Sequence, residues 1–154
     1  MALSPDQEIE FTETDISSVL EVLHNLALGG WVNFSPEVEP EVQVPERSAL
    51  VGLFSARGNA VPLATWTAPQ VEGRRITLGI THGSGPRALQ RLAEHALELP
   101  DGWLKAADHP RRGLVITVPN GYDVASALNW LLRAGEILSS VELSGSWLAR
   151  TYSP

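Results

Sequence analysis

The chain contains no cysteine. That absence removes disulfides, thiol nucleophiles and cysteine-ligated zinc together, and it suits a reducing cytoplasm. Lysine is almost missing too: ten of the eleven basic residues are arginine, and Lys105 stands alone. With its many Ala, Gly and Pro residues, this is the composition of a GC-rich bacterial coding sequence. No run of about 18 apolar residues occurs, so no membrane span and no membrane partner are expected. The opening "MALSPDQEIE" has neither a basic nor an apolar leader region and predicts no secretory signal. These absences together predict a cytoplasmic protein.

Basic charge is also absent from residues 1–46, which hold ten acids. That part carries −10 and the remainder +3, for a net charge of −7. An acidic segment of this kind is drawn to a basic surface, in the chain or on a partner. The net charge repels nucleic acid, so no nucleic-acid partner is expected.

What remains is ordinary globular material. At 154 residues with 44% hydrophobic content, residues 1–154 predict a single domain. A chain of that size buries roughly two-thirds of its unfolded surface and needs no metal for stability. "EIEFT" (8–12) alternates as a strand does. "TDISSVLEVLHNLALGG" places Ile16, Val19, Leu20, Leu23, Leu26 and Ala27 on one helical face, with Thr14 or Asp15 as its cap. "WVNFSP" follows as a strand. "SALVGLFSAR" and "AVPLATWTAP" flank the turn "RGNA" and read as a hairpin inserted over 48–69, with Pro62 at an edge or just outside the ladder. "RRITLGITH" is a strand, "GSGP" a turn with Pro86 at the first position of a helix, and "WLKAADHP" and "GLVITVP" are further strands. "NGYDVASALNWLLRAGEIL" is the third helix and "SWLARTY" the closing strand.

Three β-α-β pseudo-repeat units emerge, over 8–36, 74–110 and 111–154. The second and third share an opening Arg pair, a strand, a Gly, a helix and then Trp-Leu with Pro seven residues after the Trp. Each helix has one apolar stripe and so needs one sheet face. The expected architecture is α+β: a two-layer sandwich with a mixed, largely antiparallel sheet of seven to eight strands and three helices on one face. Trp31, Trp103 and Trp147 each open the strand after a helix, where a Trp closes the core.

Two loops hold what chemistry there is. "THGSGPR" (81–87) exposes glycine N–H groups at a helix N-terminus, which favours an anion. "DHPRRG" (108–113) adds His109, Arg111 and Arg112. If the strands before them run the same way, the loops meet and gather His82, Ser84, Arg87, His109 and Arg111 into a small-anion site for phosphate, carboxylate or a nucleotide tail. Each loop also reads as an ordinary turn. No P-loop lysine and no G-x-G-x-x-G spacing is present, and no catalytic residue is assigned. Ser84 lacks the Gly two positions ahead that a nucleophile elbow needs. His82, His109 and Asp108 are set aside as metal ligands, and no cofactor is called for.

The element order α-β-β-β-β-α-β-β-α is similar to that of the dimeric secretion-chaperone-like domains of bacteria, including the YbjN-type family. That resemblance implies a cytoplasmic dimer holding a partner's extended segment; it transfers no site residue. The expectation is a non-enzymatic protein-interaction or scaffold module, a homodimer with a possible further protein partner. The alternative is a small-anion binding protein or enzyme using loops 81–87 and 108–113.

Overall fold

A computed structural model describes residues 4–38 and 60–154. Ten elements run in the order β1 (Gln7–Thr12), α1 (Ser17–His24), β2 (Trp31–Val38), β3 (Leu63–Thr67), β4 (Ile76–Thr81), α2 (Ala88–Glu94), β5 (Leu104–His109), β6 (Gly113–Val118), α3 (Val124–Leu138) and β7 (Leu143–Tyr152). The class is α+β. The seven strands form one sheet in the order β1-β7-β2-β3-β4-β6-β5, and every ladder among the described residues is antiparallel. The first strand expected of the hairpin, and most of the acidic stretch after Val38, lie outside the described residues. Pro62 falls just ahead of β3 and so costs the ladder nothing.

Strand chemistry follows the pleat. In β2, β3, β4 and β6, each buried residue alternates with a half-buried one. Val32 and Phe34, Ala64 and Trp66, Leu78 and Ile80, and Leu114 and Ile116 fill the core side in register. Their neighbours point the other way: Asn33 and Ser35, Thr65 and Thr67, Thr77 and Thr81, Val115 and Thr117. Trp31 belongs to that second set and stacks on Tyr152, with ring centroids 5.2 Å apart and planes 11° apart. It therefore departs from the core role expected of it, because Val32 and Phe34 fix the phase of β2 and leave Trp31 on the opposite side. Trp147 is a core anchor as expected. Its ring lies so close to the mid-helix Gly135 that a Cβ there would meet Trp147 Cη2 at 3.1 Å. Trp103 is half-buried and packs edge-on against Trp130.

α3 is the central helix. Ala127, Leu128, Leu131, Leu132, Ala134 and Leu138 are fully or almost fully buried, because α3 touches α1, α2, β3 and β4 at once. Asp123 caps it, accepting from the Ser126 N–H at 3.0 Å. α1 starts differently from expectation. Its N-cap is Ile16, with no side-chain cap, and Asp15 accepts instead from the Ser17 hydroxyl.

Candidate functional site

The strand leading into loop 81–87 and the strand leading into loop 108–113 are not neighbours. β6 lies between them, antiparallel to both, so β4 and β5 run in the same direction. Ile80 and Asp108 both sit opposite Leu114 on β6, and the two strands therefore end level with each other. The sequence argument needed only that common direction, and the inserted strand preserves it.

Asp108 and Arg91 tie the two loops to α2. The Asp108 carboxylate accepts from the backbone N–H groups of Ala88 at 3.0 Å and Leu89 at 3.2 Å. The helix N-terminus that the sequence offered to an anion is thus occupied by a carboxylate of the chain's own. Arg91, one turn into α2, donates from Nη2 to Ser84 Oγ at 3.0 Å and to the Gly85 carbonyl at 2.8 Å. Ser84 Oγ lies 2.8 Å from His82 Nδ1, and the Ser84 N–H also donates to that nitrogen at 3.3 Å.

His82 is buried to 1% exposure. With the Ser84 N–H donating to Nδ1, the proton of the neutral ring sits on Nε2, which has no partner among the described residues. Arg91 Nε is likewise sealed and unpartnered. Neither nitrogen has exposed surface, so a ligand from solvent has no access to either. Burial, then the Arg91 guanidinium, hold the His82 pKa below the ordinary imidazole value, and Asp108 opposes them in part. His82 and Ser84 form a hydrogen-bonded pair, but nothing orients the ring from Nε2 in the way a nucleophilic triad requires.

The remaining candidates are placed as follows. Arg87 is exposed at the N-cap of α2, in a left-handed conformation (φ 63°) that is uncommon outside glycine. Pro86 is consequently outside the helix rather than at its first position. Arg87 borders a shallow groove of about 380 Å³ with Pro86, Gln90, Arg91 and Glu94. His109 is half-buried in the β5–β6 hairpin, where its Nδ1 accepts from the N–H groups of Arg111 at 3.1 Å and Arg112 at 3.2 Å. Arg111 is exposed in that hairpin and is engaged there. Gly113, at φ 87°, closes the three-residue loop and pairs with His109 across it. The structure thus gathers His82 and Ser84 with two residues outside the candidate set, Arg91 and Asp108, while His109 turns back on its own loop. Among the described residues, no group of three or more His, Asp or Glu side chains is placed to hold a metal ion.

Two larger hollows lie elsewhere. One, of about 530 Å³, runs between α1 and the β1–β7 pair beside Ile9, Val22 and Leu26. The other, of about 540 Å³, has Leu148 and Trp147 at its floor and Glu10 and Glu37 at its sides. Neither gathers a set of reactive groups. No helix among the described residues is long and apolar enough to cross a membrane. Compared with protein-family models, with curated proteins and with solved structures, the chain matches none.

Proposed function

We propose that the protein is a non-enzymatic interaction module that associates with a second copy of itself through the sheet face opposite α1, α2 and α3. On this reading the three helices share one face, giving the two-layer sandwich, and the other face is left for a partner. One observation carries the proposal. The outward positions of four adjacent strands, β2, β3, β4 and β6, bear no charged side chain from Trp31 to Ser35, Leu63 to Thr67, Thr77 to Thr81, and Val115 to Thr117, and the Arg75 guanidinium bonds only at the end of the face, on Thr117. A water-facing sheet normally carries Lys and Glu at such positions. A face of Thr, Asn, Leu and Val loses little on being covered by a copy of itself, even in a chain with a net charge of −7.

The sheet edges suit this role less well. The chain's single lysine sits on the edge strand β5, beside a register shift between Lys105 and Ala107. Glu8 and Glu10 mark the other edge, β1. Both are devices that discourage strand addition.

Four strands about 4.8 Å apart and five residues long span on the order of 300 Å² in projection. A standard stable interface buries roughly 800 Å² per partner. The dimer should therefore be concentration-dependent rather than permanent. Light scattering coupled to size exclusion over a concentration series tests this. The native chain should gain dimer with concentration, and Thr77→Arg, on this face between Thr67 and Thr117, should stay monomeric with its thermal midpoint kept. A native monomer at every concentration, or a dimer indifferent to Thr77→Arg, overturns the proposal.

The second reading is the small-anion role for loops 81–87 and 108–113. The exposed Arg87 beside Arg91 favours it; the Asp108 carboxylate on the α2 N-terminus opposes it. A phosphate-dependent rise in thermal midpoint that is lost in Arg87→Ala would favour this reading over the first.

A further inference from the structure

We propose that Asn120 is a site of spontaneous covalent modification, in which deamidation at Asn120–Gly121 converts the amide to aspartate or isoaspartate. Four asparagines lie among the described residues, and three are restrained. Asn25 donates from its side-chain amide to the Glu21 carbonyl at 2.9 Å. Asn33 Oδ1 accepts from Thr65 Oγ1 at 2.9 Å. Asn129 stands inside α3, where the amide after it is held in helical geometry.

Asn120 differs on each count. It is exposed in the turn between β6 and α3. Neither its side chain nor the Gly121 N–H has a hydrogen-bond partner among the described residues. Gly121 is exposed at φ 85°, and no atom lies within 4 Å of the place a Cβ would take. The attacking nitrogen is thus unbonded, uncrowded and next to a free amide, on a segment that glycine leaves adaptable.

The step needs only water. The Gly121 backbone nitrogen gives up its proton to solvent base and bonds to Asn120 Cγ. The bond from Cγ to the side-chain nitrogen breaks and ammonia leaves, closing a five-membered succinimide. Water then opens the ring at one carbonyl or the other, giving Asp or isoAsp with no change in oxidation state. Either product places a carboxylate ahead of the α3 N-cap. The isoAsp product also adds a methylene to the backbone beside Tyr122, whose ring packs edge-on against Trp66.

The experiment ages the purified full-length chain in warm, mildly alkaline buffer and follows it by peptide mapping. An amide-to-acid mass gain should appear in the peptide holding Asn120 before those holding Asn25, Asn33 and Asn129. The same peptide should become a methyl acceptor for protein-isoaspartate methyltransferase, used as a probe. Asn120→Ser should show neither change. Gly121→Ala should slow the reaction by roughly an order of magnitude, because a Cβ crowds the nitrogen and resists the positive φ. The folded chain should react at a rate close to that of the urea-unfolded chain. Retention of Asn120, an unchanged rate in Gly121→Ala, or a folded rate far below the unfolded one overturns the proposal.

Discussion

Replacing Asp108 by alanine is the sharpest test of how the two loops are held. Its two carboxylate oxygens are divided between two N–H donors, Oδ1 to Ala88 and Oδ2 to Leu89. Ala88 has no exposure, so its N–H cannot turn to water when the carboxylate is gone. A hydrogen bond to a charged group contributes about 1.5–3 kcal/mol, and helix-capping substitutions cost about 0.5–2 kcal/mol. The two bonds share one carboxylate and are not additive, so Asp108→Ala should lose about 2–3 kcal/mol. Asparagine keeps one acceptor oxygen and presents an amide to the other donor, so Asp108→Asn should fall about halfway between. With a urea slope of roughly 2 kcal/mol/M, the alanine variant's midpoint drops by about 1–1.5 M. Tryptophan fluorescence reads the transition directly, since Trp66, Trp130 and Trp147 are buried. An unchanged midpoint in Asp108→Ala, or an asparagine variant weaker than the alanine one, would refute the reasoning.

Two further outcomes follow from the same corner. Gly113→Ala should be far more damaging than Gly121→Ala, although both glycines have positive φ. A Cβ at 113 would clash with the Ile80 carbonyl oxygen, whereas one at 121 meets no atom within 4 Å. The left-handed conformation alone costs roughly 1–2 kcal/mol, and that is the loss expected in Gly121→Ala; any excess in Gly113→Ala, read as the difference in urea midpoints, measures the clash with β4. Stability should also fall with acid through His82. Its folded pKa is depressed, so between that value and the ordinary value of about 6.5 the unfolded chain binds the proton more readily. The stabilisation is complete above that ordinary value and is lost as pH falls towards the folded one. A His82→Gln variant should narrow its deficit against the native chain over that window, and parallel curves would refute the assignment.

Much of the sheet is legible in the sequence, because β2, β4 and β6 from Leu114 on alternate and each buried position is Val, Phe, Ile or Leu, apart from Pro36 near the end of β2 and Gly113 at the start of β6. The β5–β6 hairpin is equally legible: "HPRRG" puts proline and glycine where a three-residue loop needs them. What escapes sequence reasoning is set by distant partners. β6 enters between β4 and β5, and β7 between β1 and β2, by pairings that no local pattern encodes. Asp108 caps a helix that begins twenty positions earlier in the chain, and no capping pattern spans that distance. Arg87 takes a glycine-like conformation at the start of α2, displacing Pro86 from the helix that its type favours. The common direction of the strands before the two loops was legible; Arg91 and Asp108, which tie those loops to α2, carry no signal in their neighbours.

The position of β7 also bears on how the chain assembles. β3, β4, β6 and β5 complete one half of the sheet from segments close together in sequence. β1 and β2 have no direct ladder between them; β1 must wait for β7, and β2, paired with β3 on one side, waits for it on the other, with Gln7 meeting Thr151 and Trp31 meeting Tyr152. During synthesis the N-terminal strands emerge first and stay unpaired on that side longest. Contacts of such long sequence separation form slowly, and a strand edge waiting for its partner is open to other chains. Glu8 and Glu10 on β1 are then best understood as protection for the nascent chain, keeping an early strand soluble until the strand that closes it arrives.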